Sequence, residues 1–325
     1  MQKLATFSLW CDFVEREFLV GEFREMIQRG EIKGATSNPA IFANAILKSK
    51  AYKNSIENLK GKNAKEIYEN LAFSDIKSAA VSLLPLWEKD KNDGYISIEI
   101  DPTLCDDAGK SIDEGRRIFE TINMPNVMIK VPATEAGFEV MNALYKDKIN
   151  VNATLIFSTT QTKKCLEAFE CDSDDSIIAK AVISVFVSRF DRYLESQNKQ
   201  DDFMKKGSDS SDSPKLGIYN AMKCYEIVES YANPHIRTLF ASTGVKGDSL
   251  PASYYVYNLL LKNSINTAPL HTIKDFIKRD SAFVAIPRDI DEVLSKFDVE
   301  NIARKLLDSG LEAFKIEFEN LLKSI

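Results

Sequence analysis

Short runs of β-forming apolar residues recur along the chain, between longer stretches in which apolar residues return with helical spacing. The short runs predict strands at Phe7–Phe13, Gly34–Ser37, Tyr95–Asp101, Val127–Val131, Val151–Phe157, Ala179–Val187, Ile236–Ser242 and Ser264–Thr267. The helical spacing is clearest in Val14–Gln28, Ile112–Ile122, Gly137–Lys146 and Ile218–Tyr231. Strands that alternate with helices form a parallel sheet, and eight strands close a (β/α)8 barrel. We therefore expect the α/β class, with a single (β/α)8 TIM barrel and extra helices.

Three segments depart from this even alternation. Asn44–Lys91 predicts two or three helices between the second and third strands, and the polar stretch Ser196–Ser213 predicts a mobile loop after the sixth strand. Asp289–Ile325 predicts amphipathic C-terminal helices, which we expect against the barrel exterior. Because no internal repeat and no second core are apparent, residues 1–325 are expected to form one domain.

Polar side chains recur at one parity within several predicted strands. Successive strand residues point to opposite faces, and in a barrel one face packs on helices while the other points to the axis. The apolar set, which includes Leu155, suits the helix-facing side. The polar set is expected on the axis, near the carboxyl ends of the strands where barrel enzymes build their sites: Asp12, Ser97, Glu99, Lys130, Asn150, Asn152, Thr154 and Ser184, with Phe186 at the same parity.

Lys130 lies within the apolar run Val127–Thr134, which predicts a buried strand. Burial disfavours the ammonium form and leaves a fraction of free amine near neutral pH. A desolvated amine of this kind is the nucleophile of Schiff-base chemistry with carbonyl substrates. Two structural alternatives remain open: Lys130 extends from the strand end towards solvent, or it pairs with a buried carboxylate.

Composition and missing motifs narrow the chemistry. The net charge of −6 gives no reason to expect nucleic acid or an anionic membrane as partner, and no segment approaches the roughly 18 apolar residues of a membrane span. The two histidines, His235 and His271, are too few for a multi-histidine metal site, and neither a Walker A loop nor a dinucleotide-binding glycine motif is present. Covalent catalysis by an amine is therefore the leading option for an enzyme.

The cysteines and the N-terminus both indicate a cytoplasmic protein. The first residues lack a long apolar core and a small-residue cleavage site, so we do not expect secretion. The cysteines are odd in number, contain no C-x-x-C pair and are expected to be reduced thiols: Cys11, Cys105, Cys165, Cys171 and Cys224.

Four separated blocks, in the expected order, resemble the signature segments of transaldolases. They are Gly34–Phe42, Val127–Gly137, Asn152–Ser158 and Ser184–Arg189. The segment Thr238–Lys246 resembles a longer transaldolase subgroup that has Ser-Thr-Gly-x-Lys, and Gly244 occupies the position where other transaldolases have an arginine. The resemblance extends through nearly the whole chain.

The resemblance implies transfer of a dihydroxyacetone unit from sedoheptulose 7-phosphate to glyceraldehyde 3-phosphate, giving erythrose 4-phosphate and fructose 6-phosphate. It assigns the Schiff base to Lys130, proton transfer at the C4 hydroxyl to Asp12, and proton shuttling during imine formation to Glu99 with a water held by Thr154. Hydroxyl and phosphate contacts fall to the substrate-binding set: Asn38, Asn152, Ser184, Phe186, Arg189, Ser242 and Lys246. Sugar phosphates are the expected partners, neither metal nor organic cofactor is required, and the chain is expected to be a monomer or homodimer.

Several assignments have structural alternatives. Asp12 could be a partner of Lys130, Asn38 could make a turn before Pro39, and Arg189 could be a surface cation. For the whole chain, one alternative is an aldolase that releases free dihydroxyacetone, as the related fructose 6-phosphate aldolases do. Glu99 and Phe186 fit the transferase pattern better. The other alternative is a catalytically silent barrel, which would be expected to lack Lys130 or Asp12.

Overall fold

Eight parallel strands form a closed barrel in the computed structural model, which describes residues 6–170, 179–198, 216–247 and 250–325. The strands neighbour one another in chain order, and the last pairs with the first. Their bounds are β1 Ser8–Cys11, β2 Gly34–Thr36, β3 Ile96–Glu99, β4 Val127–Pro132, β5 Asn150–Ile156, β6 Ala181–Phe186, β7 Ile236–Ala241 and β8 Ile265–Ala268. The predicted (β/α)8 TIM barrel is therefore confirmed, with each strand within its predicted run or a residue beyond it.

Helices connect the strands and surround the barrel. Their bounds are α1 Arg16–Val20, α2 Glu22–Gln28, α3 Pro39–Lys48, α4 Lys53–Asn58, α5 Ala64–Lys89, α6 Ala108–Ile122, α7 Glu135–Lys146, α8 Thr159–Ala168, α9 Ser188–Asn198, α10 Leu216–Ser230, α11 Tyr254–Asn258, α12 Leu270–Phe276, α13 Ile290–Ser295 and α14 Val299–Ser324. Gly21 divides the single helix expected over Val14–Gln28 into α1 and α2. Most of the loop predicted at Ser196–Ser213 lies outside the described residues. Within the described ranges, no helix is both long and apolar enough to cross a membrane.

The register between neighbouring strands brings the polar side chains together inside the barrel. Glu99 on β3 is the Cα partner of Lys130 on β4, which is in turn the partner of Asn152 on β5. The side chains on the other face of the strands, which include Ile98 and Ile129, pack with the helices in one hydrophobic cluster. The alternation along each strand therefore separates a helix-facing apolar shell from a polar interior, as the sequence predicted.

The middle layer of the barrel is apolar and closes the interior beneath the polar groups. Trp10, Met128 and Leu239 belong to a second buried cluster there. Glycine is required opposite the indole, because a Cβ at Gly34 would lie 2.5 Å from a Trp10 ring carbon. Asn150 lies below this layer, at the amino end of β5, where its amide bonds to backbone carbonyls, so its expected position near a carboxyl end is wrong.

The alternation fails near the end of β5. The register with β6 shifts between Ala153 and Ile156, and Leu155 has a positive φ of 57°. The shift turns Leu155 into the interior cluster and sends Ile156 to the helix-facing shell. The predicted helix-facing position of Leu155 is therefore wrong, because an irregular residue breaks the period of two.

Helix α14 lies across the carboxyl end of the barrel rather than against its exterior. Near its start Lys305 bonds to Tyr193 of α9 at 3.2 Å, and near its end Phe318 packs edge-to-face on Tyr68 of α5 with ring centroids 5.2 Å apart. Between these contacts Phe314 reaches the cavity described below. The expected exterior position is wrong, because the apolar stripe of this amphipathic helix has a partner on top of the barrel.

Candidate active site

A cavity of about 110 Å³ opens at the carboxyl ends of the strands, beneath α14. Its lining residues are Asp12, Thr36, Asn38, Lys130, Ser184, Phe186, Arg189, Leu239, Ala241, Ser242, Thr267 and Phe314. Seven residues of the predicted site contribute to this lining, from β4, β6 and the segments that follow β1, β2, β6 and β7. Glu99, Thr154, Asn152 and Lys246 do not line it.

Lys130 lies at the floor of the cavity and is 5% exposed. Its Nζ is 2.8 Å from Glu99 Oε1 and donates to the Ser37 carbonyl oxygen at 2.9 Å. The side chain therefore pairs with a buried carboxylate and does not extend to solvent. At this distance Glu99 is placed to take the proton that the amine must lose before it can attack.

Glu99 and Thr154 meet Lys130 in a separate crevice of about 10 Å³, roughly the volume that one water needs. Within the described residues, Thr154 Oγ1 and Glu99 Oε2 are buried without a hydrogen-bond partner. Burial raises the pKa of Glu99, and Lys130 opposes that rise. Unpaired buried polar atoms around a water-sized space fit a bound water that exchanges protons with Glu99.

Asp12 follows the carboxyl end of β1 and accepts a hydrogen bond from Thr36 Oγ1 at 2.6 Å. Burial raises the pKa of the Asp12 carboxyl, while the charge of Lys130 and the Thr36 hydrogen bond lower it. A carboxylate with a raised pKa is a better proton acceptor than a free one, which suits a group that takes a proton and later returns it.

Asn152 is fully buried and reaches the cavity only through Ser184. Its Nδ2 donates to Ser97 Oγ at 2.9 Å, and its Oδ1 accepts from Ser184 Oγ at 2.6 Å. In this arrangement Ser184 presents its hydroxyl oxygen to the cavity, and Asn152 fixes the direction of that hydroxyl.

Arg189 and Ser242 lie on one wall of the cavity, at the start of α9 and just after β7. The guanidinium is 5.1 Å from the centroid of the Phe186 ring, and Ser242 Oγ is 3.1 Å from Ser188 Oγ. Burial, followed by the neighbouring charge of Arg192, lowers the pKa of Arg189 to about 10. A cation under desolvation at a helix N-terminus favours an anionic ligand.

Two other residues of the predicted substrate-binding set have different surroundings. Asn38 lines the cavity, and its Oδ1 accepts a hydrogen bond from Ile41 N at 2.9 Å, which caps α3. Asn38 therefore has a structural role in the turn before α3 and is also within the cavity lining. Lys246 is exposed and outside the lining, so its phosphate contact has no support from the cavity geometry and stays a prediction. The chain leaves the barrel after Ser242, which carries Lys246 towards solvent.

Sequence reasoning missed five lining residues: Thr36, Leu239, Ala241, Thr267 and Phe314. Thr36 and Thr267 had a usable signal, since both are polar residues inside predicted strands. Phe314 had none, because an aromatic residue in an amphipathic helix ordinarily belongs to the core.

Comparisons with known proteins agree with this geometry. A family model described as transaldolase/fructose-6-phosphate aldolase matches residues 9–325. A Helicobacter pylori (strain Shi470) protein named transaldolase is 49% identical over 326 residues, covering 98% of this chain and 99% of its own. A Campylobacter jejuni (strain 81-176) protein of the same name is 46% identical over 339 residues, covering 99% of this chain and 100% of its own.

Proposed function

The chain belongs to the transaldolase/fructose-6-phosphate aldolase family, and we propose that Lys130 is the amine through which it acts. Its activity is that of a transaldolase, which moves a dihydroxyacetone unit from sedoheptulose 7-phosphate to D-glyceraldehyde 3-phosphate through a lysine Schiff base. The products are erythrose 4-phosphate and fructose 6-phosphate, in the non-oxidative branch of the pentose phosphate pathway.

One observation carries the assignment of Lys130: a buried amine that lines the cavity together with Asp12 and pairs with Glu99 at 2.8 Å. Glu99 takes the ammonium proton, and the free amine attacks the C2 carbonyl of the ketose. The carbinolamine then loses water, for which the crevice beside Thr154 offers a place. The product is an iminium, an electron sink for the next bond cleavage.

Asp12 performs the carbon–carbon cleavage and its reversal. It takes the proton of the C4 hydroxyl, the C3–C4 electron pair moves into the iminium, and the aldose leaves while an enamine remains on Lys130. The enamine then attacks the aldehyde of the acceptor, and Asp12 returns the proton to the new hydroxyl. Asn38 and Ser184 line the cavity beside Lys130 and hold the hydroxyls of the three-carbon unit.

The phosphate group binds at the wall that Arg189 and Ser242 form. Arg189 offers charge-assisted hydrogen bonds, and the N-terminus of α9 adds a favourable dipole. The position of Gly244, where many transaldolases have an arginine, leaves Arg189 as the charged group of this wall.

Release of free dihydroxyacetone is the competing activity, as in the aldolases that share the family description. Phe186 supports transfer, because its apolar ring lines the cavity 5.1 Å from the Arg189 guanidinium and offers no group that could activate the water needed to release dihydroxyacetone. An assay of fructose 6-phosphate cleavage without an acceptor aldose separates the two activities, and transfer predicts little turnover under that condition.

Borohydride reduction in the presence of fructose 6-phosphate, followed by peptide mapping, tests the proposal. We expect one three-carbon adduct on Lys130. Lys130→Arg should keep the melting temperature yet form no adduct, because a guanidinium stays protonated. Lys65→Arg, at a partly exposed lysine, is the matched control, and this variant should form the adduct on Lys130 as the wild type does. An adduct on a different lysine, or none during turnover, contradicts the assignment.

Residence in the cytoplasm and a monomeric or homodimeric state complete the proposal. Four cysteines in the described ranges are buried free thiols, Cys11, Cys105, Cys165 and Cys224, which supports a reducing compartment. Sedimentation analysis of the purified protein tests the oligomeric state.

A further inference from the structure

Two threonine hydroxyls that are far apart in the sequence meet beneath Asp12. Thr36 Oγ1 on β2 is 2.6 Å from Asp12 Oδ1 and also 2.6 Å from Thr267 Oγ1 on β8. Both threonines are almost fully buried, at 2% and 3% exposed. The three residues come from neighbouring strands, because β1 lies between β2 and β8 in the barrel. A chain of two hydroxyls therefore ends on the carboxylate that the proposed reaction uses.

The protons of this chain have one consistent arrangement when Asp12 is ionised. A hydroxyl carries a single proton, and Thr36 donates its own to the carboxylate. The contact between the two threonines then requires Thr267 to donate to Thr36 Oγ1. The hydrogen bond from Thr267 to Thr36 strengthens the one from Thr36 to Asp12, since successive hydrogen bonds polarise one another in a low-dielectric interior.

The backbone around Thr267 is held in place. Thr243 Oγ1 is 2.8 Å from the Thr267 carbonyl oxygen and 2.8 Å from Asn266 Oδ1. Asp12 N in turn donates to the Ala268 carbonyl oxygen at 2.9 Å. These bonds fix the strand that presents the Thr267 hydroxyl, so the hydroxyl chain has a rigid base.

We propose that Thr267 is a positioning residue of the transferase site, which acts through the Thr36 hydroxyl to keep Asp12 ionised and aimed at the C4 hydroxyl of the substrate. The inference rests on the proposed role of Asp12 and deepens it. When Asp12 takes the proton, the Thr36 donor is no longer matched to a carboxylate, so the chain favours return of that proton in the second half-reaction. No atom of Thr267 has to touch the substrate for this effect.

The charged groups around Asp12 have opposing effects on its pKa, so a change in the hydroxyl chain is expected to shift that pKa measurably. Burial disfavours the Asp12 carboxylate, whereas Lys130 and the Thr36 hydrogen bond favour it. The like charge of Glu99 adds to the effect of burial. Arg189 lies on the far wall of the same cavity, and the Cys11 thiol next in sequence is buried and has a raised pKa, chiefly from burial and then from Asp12. Thr36 is the neutral donor to the carboxylate, and Thr267 supports it.

The test is the pH dependence of kcat for transfer in the full-length enzyme with Thr267→Val and Thr267→Ser. Removal of the hydroxyl weakens the support of the carboxylate, so the pKa of Asp12 rises and the acidic limb of the profile moves to higher pH. We expect a displacement of about half to one pH unit for valine, and a fall of about three- to tenfold in kcat on that limb. Serine keeps the hydroxyl and should restore the wild-type profile, with KM within about twofold in both variants.

Thr238→Val is the matched control, because it removes a fully buried strand hydroxyl that has no hydrogen-bond partner within the described part of the chain. Its profile should superimpose on that of the wild type. If valine destabilises the fold, Thr267→Ala, which also lacks the hydroxyl, replaces it and should show the same displacement. A Thr267→Val profile identical to wild type overturns the proposal, and so does an equal displacement in Thr267→Ser.

Borohydride trapping separates this inference from the function on which it rests. Imine formation depends on Lys130 and Glu99 and precedes the step of Asp12, so Thr267→Val should still form a borohydride-reducible imine with fructose 6-phosphate on Lys130 at the wild-type rate. A wild-type enzyme that forms no adduct on Lys130 defeats the proposed function. A wild-type enzyme that forms the adduct, beside a Thr267→Val variant with an unmoved profile, defeats only the role of Thr267.

Discussion

At the scale of single residues, two carboxyl groups divide the proton transfers around Lys130. Glu99 is in direct contact with the amine and adjoins the water-sized crevice, whereas Asp12 faces the open cavity. Burial raises the pKa of both, and Lys130 opposes the rise in both. The two carboxyl groups therefore have similar electrostatic surroundings but act in different steps, because Glu99 adjoins the crevice and Asp12 adjoins the cavity.

Substitution of the two carboxylates should separate these steps. Asp12→Ala should accumulate the Schiff base and lose carbon–carbon cleavage by about a hundredfold or more, because general base catalysis contributes roughly 10²–10⁴-fold. Glu99→Gln should slow imine formation itself. Rapid-quench trapping with borohydride measures both, and variants that fail at the same step would rule out the separate roles.

Phosphate recognition should depend on Arg189 and hardly on Lys246. Arg189→Ala removes a charge-assisted contact of about 1.5–3 kcal/mol, so KM for fructose 6-phosphate should rise about ten- to a hundredfold. Lys246→Ala is the matched control, since its side chain is exposed and outside the cavity lining. Turnover of unphosphorylated fructose should change little in either variant. Equal KM values for the two variants would contradict the assignment of the phosphate wall.

At the scale of elements, α14 completes the site from above. Gly310 lies where the helix crosses the cavity wall, and a Cβ there would be 3.0 Å from both Arg189 Nη1 and Leu155 Cδ2. These separations are shorter than the ordinary carbon contact of about 3.5–4.0 Å. The bulge that turns Leu155 inward therefore provides one side of the groove in which the helix and the guanidinium fit together.

Gly310→Ala should displace Arg189 without loss of stability. Alanine favours a helix interior over glycine by about 1 kcal/mol, so the melting temperature should hold or rise. KM for fructose 6-phosphate should nevertheless increase about three- to tenfold, while KM for fructose stays the same. Ser309→Ala, at the exposed neighbour on α14, is the control and should leave both constants unchanged. A fall in stability with unchanged KM would mean that Gly310 serves packing alone.

At the scale of the whole molecule, the two ends of the barrel have different tasks. The amino end is closed by Arg237, which is 6% exposed and donates to Ser8 Oγ at 3.0 Å and to the Asn92 carbonyl oxygen at 2.6 Å. Asp93 Oδ1 lies 3.5 Å from the same guanidinium. The apolar layer that contains Trp10 and Met128 separates this charged plug from the cavity at the other end.

Loss of the plug should therefore affect stability and not catalysis. Arg237→Met removes one of the two cations beside Asp93, since Lys33 Nζ remains 3.3 Å from Asp93 Oδ2. It also leaves the Asn92 carbonyl oxygen without this donor, so the free energy of unfolding should fall by about 1–3 kcal/mol. Arg116→Met, at an exposed arginine 2.7 Å from Asp147, is the control and should cost about 1 kcal/mol or less. Denaturant unfolding measures both changes. Below the melting transition the kcat and KM of Arg237→Met should match the wild type, and altered constants would mean that the two ends are coupled.

Short-range patterns in the sequence determined the barrel, the interior parity and most of the polar site. Strand side chains alternate with a period of two, so Asp12, Lys130 and Ser184 could be placed inside the barrel from their immediate neighbours. The same rule failed at Leu155, because a positive φ breaks the alternation and no residue type announces it.

Contacts between residues far apart in the chain follow from how the elements pack and could not be read from local patterns. Thr36 and Thr267 are 231 residues apart in the chain and touch because closure of the barrel brings β8 against β1. The position of α14 over the cavity, with Phe314 in the lining, follows from packing of its apolar stripe against several elements at once. Local periodicity shows that a helix has an apolar face, but the free energy of burying that face depends on surfaces that exist only after the barrel has closed.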